Sequence, residues 1–447
     1  MGKYFGTDGI RGIAGTELSP TLAFRTGLAT AEVLAKESTS KKVYIGKDTR
    51  KSGDMLEAAL IAGLTAGGLD VWTLGVVPTP AVAYLTATTD ACAGIVISAS
   101  HNPGEYNGIK IFATDGYKLP DAVEEEIEAH IDGKPQAVRT GKEIGSVHAM
   151  PEGAEHYIEH LKSTVSTGLT GVTIALDCGH GANSDIAPRV FEELGAKVVV
   201  TNREPDGMNI NANCGSTNPS IITTLVKKSG AACGFSFDGD GDRVIAVDET
   251  GEVMDGDHML AALGLKLKEK GALKHSGLTG TVMTNIGLDR FCDEHGLVLH
   301  KAAVGDRYVL EDMRTSEFSL GGEQSGHIIF LDHNTTGDGL LTALKLVELI
   351  MEDGVLLSEK NKLMFSYPQV LVNARVHTER KNAYKTDSAI QEEIKRLEES
   401  YHGVGRVLIR PSGTEPLVRV MIEGEDIQRL EQDARALAAM IEERYPE

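Results

Sequence analysis

The chain has 447 residues, too many for one hydrophobic core, so we expect roughly two to four domains. Its formal net charge of −21 at pH 7 argues against a general surface for nucleic acid or anionic membranes. Five widely spaced cysteines, none in a Cys-x-x-Cys pair, indicate neither a zinc site nor a disulfide framework. Because no signal-like N-terminus and no membrane-length apolar run are visible, the sequence predicts a cytoplasmic protein that binds neither nucleic acid nor membrane.

Three successive segments show the same order of predicted strands and helices. Short apolar runs alternate with helical patterns and glycine turns, which is typical of βαβ units with a mainly parallel sheet and an antiparallel edge. The first segment has predicted strands at 42–45, 70–74, 94–97 and 108–112 and a helix at 55–66. The second has strands at 172–176, 197–200, 233–237 and 244–247 and helices at 186–194 and 221–228. The third has strands at 280–284, 297–300, 318–320 and 328–331 and helices at 288–295 and 308–314.

The pattern changes after the third segment. A helix at 340–351 is followed by strands at 369–374, 406–409 and 417–422 and by helices at 388–398 and 425–443. This order predicts a small α+β domain. We therefore predict three similar α/β domains with mixed, mainly parallel sheets, plus a smaller C-terminal α+β domain, around a central cleft. The expected domain boundaries are 1–150, 151–255, 256–365 and 366–447.

In each α/β segment the same strand leads into a polar motif. The motifs are SASHNP at Ser98–Pro103, DGDGDR at Asp238–Arg243 and GGEQSGH at Gly321–His327. Ligands of open α/β sheets bind at the carboxyl ends of strands, so three motifs at matching places predict one shared site. Three unconnected polar turns are the simpler alternative, but each motif is rich in chemically capable side chains.

The DGDGDR motif has the composition of a metal loop. Asp238, Asp240 and Asp242 alternate with glycines, which allow the backbone to bring three carboxylates onto one hard divalent cation. An acidic surface turn is one alternative, and an EF-hand-like calcium site ending at Glu249 is another. The strand-like flanks oppose the calcium site. Ser100 is either a turn residue or a nucleophile, and a nearby divalent cation favours phosphoryl chemistry.

Two other clusters suit binding of a phosphorylated sugar. Hydroxyls, backbone N–H groups and guanidinium groups in a glycine turn can hold an oxyanion, and polar turns can hold sugar hydroxyls. An ordinary hairpin loop with an ion pair to Glu415, and a simple polar turn, are the alternatives. The candidate residues are Arg410, Ser412, Gly413, Thr414 and Arg419 for the oxyanion, and Glu323, Gln324 and Ser325 for the sugar.

Taken together, these motifs resemble the α-D-phosphohexomutase family over the whole chain. The resemblance is carried by SASHNP, DGDGDR, GEQSGH and RPSGTEP, in that order, and by FGTDGIRG at Phe5–Gly12. The amino-acid sequences of several motifs are most similar to those of the phosphoglucosamine mutase subgroup. That subgroup interconverts glucosamine 6-phosphate and glucosamine 1-phosphate on the way to UDP-N-acetylglucosamine and the bacterial cell wall.

The resemblance implies an isomerase in which phosphorylated Ser100 exchanges a phosphoryl group with the sugar through a bisphosphate. It also implies Mg²⁺, a sugar 1,6-bisphosphate activator, a phosphorylated amino sugar as substrate, and a homodimer. The implied catalytic residues are Ser100, His101, Lys110, Arg11 and Arg243; the implied metal ligands are Ser100, Asp238, Asp240 and Asp242. The implied substrate-binding residues are Glu323, Gln324, Ser325, Arg410, Ser412, Gly413, Thr414 and Arg419.

Other functions stay open from the sequence alone. A glucose- or mannose-phosphate mutase would use the same machinery. A metal-dependent serine phosphatase would use Ser100 and the metal but admit water. A calcium-binding module would leave the SASHNP and RPSGTEP motifs unexplained.

Overall fold

The computed structural model describes residues 2–6, 8–34, 40–133, 138–412 and 415–446. The chain forms two compact units. The first comprises Met1–Thr284 and His295–Leu363, and the second comprises Asn285–Glu294 and Met364–Glu447. The described residues contain four sheets, and their mixture of helices and mixed sheets confirms the predicted α/β class.

The first sheet has seven strands in the order β1-β2-β6-β5-β3-β4-β7. Strands β3, β4, β5 and β7 run parallel, while β6, β2 and β1 continue the sheet in antiparallel fashion. β5 is buried along its whole length, as its unbroken apolar run predicts. The strands are β1 (Phe5–Gly6), β2 (Gly9–Ile13), β3 (Lys42–Lys47), β4 (Asp70–Val76), β5 (Ala93–Ile97), β6 (Tyr106–Phe112) and β7 (Val147–Ala149).

Four helices belong to this sheet: α1 (Pro20–Leu34), α2 (Gly53–Ala66), α3 (Thr79–Thr88) and α4 (Asp121–Asp132). One apolar core joins α1, α2 and α4 to the strands, whereas α3 packs on β3 and β5. Helices α1 and α2 approach closely because Gly27 of α1 lies against the backbone of α2, and Gly63 of α2 lies against the backbone of α1. A Cβ at Gly27 would lie 2.6 Å from the Leu60 carbonyl oxygen.

The second sheet has the order β12-β11-β10-β8-β9. Strands β9, β8 and β10 are parallel, and β11 and β12 are antiparallel additions. Its strands are β8 (Thr173–Asp177), β9 (Lys197–Thr201), β10 (Cys233–Phe237), β11 (Val244–Asp248) and β12 (Val253–Met254). The helices of this region are α5 (Gly153–Ser163), α6 (Asn183–Glu193) and α7 (Ser220–Ser229).

The third sheet has the order β14-β13-β15-β16, and only β16 runs antiparallel. Its strands are β13 (Gly277–Thr281), β14 (Val298–Ala302), β15 (Leu320–Gly322) and β16 (Ile328–Phe330). The helices here are α8 (Gly256–Glu269), α10 (Asp306–Thr315), α11 (Gly339–Asp353) and α12 (Leu357–Asn361), whereas α9 (Ile286–His295) falls almost wholly in the segment that belongs to the second unit. All three polar motifs therefore follow a parallel strand and precede its antiparallel partner: β5 and β6, β10 and β11, β15 and β16.

The second unit contains an antiparallel sheet in the order β17-β19-β18. Two helices pack on this sheet around one apolar core, and each begins with an aspartate that caps backbone N–H groups. The elements are β17 (Gln369–Arg375), α13 (Ser388–Tyr401), β18 (Arg406–Pro411), β19 (Leu417–Glu423) and α14 (Ile427–Arg444).

The structure corrects several predicted elements. The predicted strand at 280–284 ends earlier, because the Thr281 N–H donates to Thr284 Oγ1 at 3.0 Å and begins a turn. The predicted strand at 318–320 is displaced to β15, and Arg410 lies within β18 rather than in the loop after it. The sequence prediction also omitted α1, α3, α5, α8 and α12. Of these, α1, α3 and α8 are buried on several sides and lack a clear polar face.

Candidate active site

Ser100 lies on the turn that follows β5, in the first unit. Its backbone has φ of 52°, in the left-handed region, and its side chain is fully buried. The Ser100 N–H donates to Ser98 Oγ at 2.9 Å, and the Ser100 hydroxyl donates to Asp238 Oδ2 at 2.7 Å. The nucleophile candidate and the aspartate loop are therefore in direct contact, although 138 residues separate them in sequence.

The aspartate loop is the tight connection between β10 and β11. Gly241, with φ of 72°, makes the turn, and a Cβ there would lie 2.4 Å from Asn183 Nδ2. Asp238, Asp240 and Asp242 are all buried, and each offers a carboxylate oxygen within 4.8 Å of the other two. The loop thus holds three convergent carboxylates away from water.

The hydrogen-bond inventory of the loop fits a hard divalent cation. Asp240 Oδ1 and Asp242 Oδ1 are buried, and no group of the described part of the chain donates a hydrogen bond to either atom. Burial and the charges of the other two carboxylates raise the pKa of Asp238 well above its usual range. An ion among these oxygens would satisfy the unpartnered atoms and offset the repulsion, because carboxylate oxygens are preferred ligands of Mg²⁺ and Ca²⁺.

Lys110 and Arg11 lie next to this loop. Lys110 Nζ is 3.0 Å from Asp240 Oδ2, 3.4 Å from Asp242 Oδ2 and 3.1 Å from Asp8 Oδ2. Burial alone would lower the pKa of Lys110, but the surrounding carboxylates, led by Asp240, raise it well above its usual value. Arg11 pairs with Asp8 and keeps a buried Nε without a partner. Lys110 therefore contacts the aspartate loop directly, and Arg11 is linked to Lys110 through Asp8.

His101 and Arg243 form a pair beside Ser100. His101 Nδ1 is 2.7 Å from Arg243 Nη1, where it accepts a hydrogen bond, and 3.4 Å from Ser100 Oγ. Burial, with the charges of Arg243 and Arg11, lowers the pKa of His101 to about 4. The imidazole is therefore neutral near pH 7, and its proton lies on Nε2.

The sugar-loop candidates lie in the turn between β15 and β16. The Val244 N–H donates to the Gly326 carbonyl at 3.1 Å, which joins this turn to the end of the aspartate loop. Glu323 Oε1 accepts from the Gly305 N–H at 3.0 Å, and the Ser325 side chain is exposed. Gln324 Nε2 instead donates to Asp255 Oδ2 at 3.2 Å, at the beginning of α8.

The phosphate-loop candidates lie in the second unit. Arg410 and Arg419 occupy opposite positions of β18 and β19, and the buried Nε of each finds no hydrogen-bond partner among the described residues. Burial and the charge of Arg419 lower the pKa of Arg410. Arg419 Nη2 pairs with Glu415 Oε2 at 3.1 Å, as the alternative of an ordinary hairpin loop expects. Arg410 still faces a like charge in register, which a bound anion would offset. Ser412 Oγ accepts from the Glu415 N–H at 3.2 Å, while Gly413 and Thr414 lie outside the described residues.

Sequence reasoning missed a chain of alternating charges that leads away from the aspartate loop. Asp8 pairs with both Lys110 and Lys118, and Lys118 also pairs with Asp306 at the beginning of α10. It also missed His327, which is buried with Nδ1 3.8 Å from Asp242 Oδ2. His327 directly follows the GEQSG letters, so its position in the motif was an available signal. The pairing of Lys118 with Asp8 and with Asp306 joins residues more than 100 positions apart, and no sequence motif indicated it.

Comparison with known families accounts for this arrangement. Four domain profiles described as "Phosphoglucomutase/phosphomannomutase" match the chain: α/β/α domain I at residues 2–137, domain II at 155–251, domain III at 255–367 and the C-terminal domain at 371–440. The chain belongs to the phosphoglucomutase/phosphomannomutase family. This confirms the resemblance to the phosphohexomutases, which are isomerases that act as intramolecular phosphotransferases.

Individual relatives are similar over their full lengths. A protein of Finegoldia magna named "Phosphoglucosamine mutase" is 57% identical over 446 residues, 99% of each chain. One of the same name from Alkaliphilus oremlandii is 55% identical, over 99% of this chain and 100% of that protein. A crystal structure of a family member from Burkholderia thailandensis superposes with a TM-score of 0.84 at 25% identity, covering 100% of this chain and 99% of that one.

In the described part of the chain, we find no helix with both the length and the apolar character that a bilayer crossing requires. All five cysteines are free and buried, as expected for a chain without a disulfide framework.

Proposed function

We propose that this chain interconverts glucosamine 6-phosphate and glucosamine 1-phosphate through a phosphorylated Ser100 and a sugar bisphosphate, in the supply of UDP-N-acetylglucosamine. The observation that carries the proposal is the contact of Ser100 Oγ with Asp238 Oδ2, at 2.7 Å, beside three buried carboxylates. The name shared by relatives more than 50% identical along their entire length supports the amino-sugar substrate.

Mg²⁺ is the proposed cofactor, held by Asp238, Asp240 and Asp242 together with an oxygen of phosphorylated Ser100. The unpartnered Oδ1 atoms of Asp240 and Asp242 support these ligands. A divalent ion supplies neutralisation of the charge on a transferring phosphoryl group. Lys110 contacts Asp240 and Asp242, and its positive charge would offset part of the negative charge of the three carboxylates.

The reaction proceeds in two transfers. In the first, the bond from phosphorus to the Ser100 oxygen breaks while a bond from phosphorus to a sugar hydroxyl oxygen forms, and the proton lost by the sugar hydroxyl is balanced by the proton that the released Ser100 oxygen takes up. The bisphosphate then reorients and returns its other phosphoryl group to Ser100. Arg11 and Arg243 stabilise the phosphoryl oxygens, and His101 and Lys110 assist proton transfer. Burial of Ser100 suits this scheme, because water at the phosphoserine would hydrolyse it.

Substrate binding is assigned to two loops. Glu323, Gln324 and Ser325 hold sugar hydroxyls, and a sugar 1,6-bisphosphate serves as activator. A clamp that recognises charge and tetrahedral shape accepts either end of the sugar. Its proposed members are Arg410, Ser412, Gly413, Thr414 and Arg419.

The domain roles follow from these loops. The proposed phosphoserine domain is 1–150, the metal domain 151–255, the sugar domain 256–365 and the phosphate domain 366–447. A cytoplasmic location and a homodimer are further parts of the proposal, from the sequence and the family resemblance.

The test compares glucosamine 6-phosphate, glucose 6-phosphate and mannose 6-phosphate as substrates of the purified protein. We expect the highest kcat/KM for glucosamine 6-phosphate and a mass increase of one phosphoryl group on the Ser100 peptide after incubation with sugar bisphosphate. Ser100→Ala should abolish both without changing the melting temperature. Equal or better rates on a hexose phosphate would favour a phosphoglucomutase or phosphomannomutase, and steady release of inorganic phosphate would favour a phosphatase.

A further inference from the structure

Arg50, just after β3, directs both terminal guanidinium nitrogens at the loop that carries Ser100. Its side chain is fully buried. Nη2 donates to the carbonyl oxygens of Ser100 at 2.9 Å and Asn102 at 2.8 Å. Nη1 donates to the carbonyls of Pro103 and, at 3.0 Å, Tyr106. One side chain therefore fixes four carbonyls of a single loop.

The backbone N–H of Ser100 is tied to the same guanidinium by a second route. It donates to Ser98 Oγ, and the Ser98 hydroxyl donates to Asp48 Oδ2 at 2.6 Å. That same Asp48 oxygen accepts from Arg50 Nε at 2.8 Å. Both polar groups of the Ser100 backbone are thus held by one buried, fully paired ion pair.

Asn211 approaches the same carbonyls from the second α/β region of the first unit. Its Nδ2 donates to the Ser100 carbonyl at 2.9 Å and to the Asn102 carbonyl at 3.2 Å. The aspartate loop packs against the same two groups, since a Cβ at Gly239 would lie 2.6 Å from the Ser100 carbonyl oxygen and 2.8 Å from Asn211 Nδ2. The two carbonyls therefore each receive one hydrogen bond from Arg50 and one from Asn211.

A left-handed conformation at a non-glycine residue costs roughly 1 kcal/mol or more and persists only where the surroundings fix it. We propose that Arg50 and Asn211 are positioning residues that hold Ser100 in this conformation, so that its hydroxyl is directed at the aspartate loop. The inference rests on the proposed function of Ser100. Neither residue touches the hydroxyl itself, so both act through the backbone.

The decisive experiment measures how fast Ser100 acquires phosphate from glucose 1,6-bisphosphate, by mass spectrometry of its peptide. Asn211→Gly is the main variant, because glycine keeps the positive φ of 58° at this position while the donor side chain is removed. Asn213→Gly is the matched control: Asn213 has φ of 53°, lies two residues away and is exposed. We expect Asn211→Gly to load Ser100 about 100-fold more slowly, because a misplaced reacting atom costs this much, and Asn213→Gly to load it normally.

Steady-state kinetics separate positioning from loss of structure. We expect Asn211→Gly to lower kcat while KM for the sugar phosphate and the melting temperature stay within about twofold and about 2 °C of the unmodified values. Arg50→Lys should lower kcat further, because an ammonium cannot reproduce the planar fork of donors. Loading of Asn211→Gly at the rate of Asn213→Gly would overturn the inference, as would a rise in KM alone. An unmodified chain that never acquires phosphate on Ser100 would overturn the proposed function itself.

Discussion

Two kinds of buried carboxylate lie at the ends of neighbouring parallel strands in the second sheet. Asp177 ends β8, and Asp238 follows β10, which pairs with β8. Asp177 accepts four hydrogen bonds, from the Gly179 and Gly215 N–H groups, Asn202 Nδ2 and Ser236 Oγ, at 2.9–3.2 Å. In the aspartate loop, by contrast, two carboxylate oxygens accept no hydrogen bond from any residue that the structure describes.

This difference separates a structural carboxylate from a ligand-binding one better than burial does, since both kinds are almost wholly buried. A buried carboxylate with all of its acceptor positions used stabilises its loop. A buried carboxylate with an unused oxygen costs stability until a cation arrives. The comparison predicts that the two kinds respond oppositely to substitution and to metal.

The largest expected effect is on catalysis. Asp240→Asn should lower kcat by about 10³-fold, since loss of a metal ligand removes several kcal/mol of transition-state stabilisation. Its melting temperature should change little, because the repulsion relieved among the carboxylates offsets the lost pairing with Lys110, which keeps Asp8 and Asp242 as partners. The rate of glucosamine 6-phosphate conversion and a thermal melt check both. Retained activity would place Asp240 among the structural carboxylates.

Asp177→Ala should show the reverse behaviour. It leaves four buried donors without an acceptor, at about 1 kcal/mol each, so the free energy of unfolding should fall by about 3–4 kcal/mol. Urea unfolding measures this loss. Glu155→Ala, at an exposed ion pair, is the control and should cost less than about 1 kcal/mol. A loss below that level would show that full pairing of Asp177 adds little.

Asp338, at the beginning of α11, is another buried carboxylate with several hydrogen bonds, and the pH dependence of the free energy of unfolding tests its role. It accepts from Tyr157 Oη and Asn334 Nδ2, and burial raises its pKa to about 6. The unfolded chain releases this proton near pH 3.9, so between these values the folded state binds more protons. The free energy of unfolding should therefore fall by roughly 2–3 kcal/mol as pH rises from about 4 to about 6. Asp338→Asn should remove this component in urea unfolding, and an unchanged pH dependence would contradict the assignment.

The smallest expected effect is stabilisation by the metal. At Mg²⁺ concentrations tenfold above its dissociation constant, the free energy of unfolding should rise by about 1.4 kcal/mol. Asp177→Asn should keep this response, whereas Asp240→Asn should lose most of it. Thermal melts with Mg²⁺ and with a chelator measure the difference. An equal response in both variants would mean that the ion binds elsewhere.

The sequence predicted the core of the site because its chemistry is local. Asp238, Asp240 and Asp242 lie within five consecutive residues, and Ser100 lies at the matching strand end of another repeat. The three repeated strand–turn–strand units were visible for the same reason. Whether these residues meet depends on the packing of whole sheets, which only the structure gives.

What the sequence did not predict depends on long-range pairing. The contact of Arg50 with four carbonyls, and the charge chain from Asp8 through Lys118 to Asp306, join segments 50 to 188 residues apart. The hydrogen-bond partners of a residue such as Asp177 also cannot be predicted from sequence. The sequence shows an aspartate at the end of a strand but does not show how many hydrogen bonds its carboxylate oxygens accept. Of the helices that the prediction missed, α1, α3 and α8 lack the polar face that reveals a helical period in sequence.

The left-handed backbone at Ser100 restricts which amino acid can serve as the phosphate carrier. Threonine offers the same hydroxyl, and the chemistry of phosphate esters scarcely distinguishes the two. A β-branched side chain at φ of 52° is, however, a genuine steric outlier. The choice of serine at this position is therefore made by backbone geometry as much as by reactivity, and evolution cannot exchange the two alcohols here without rebuilding the turn.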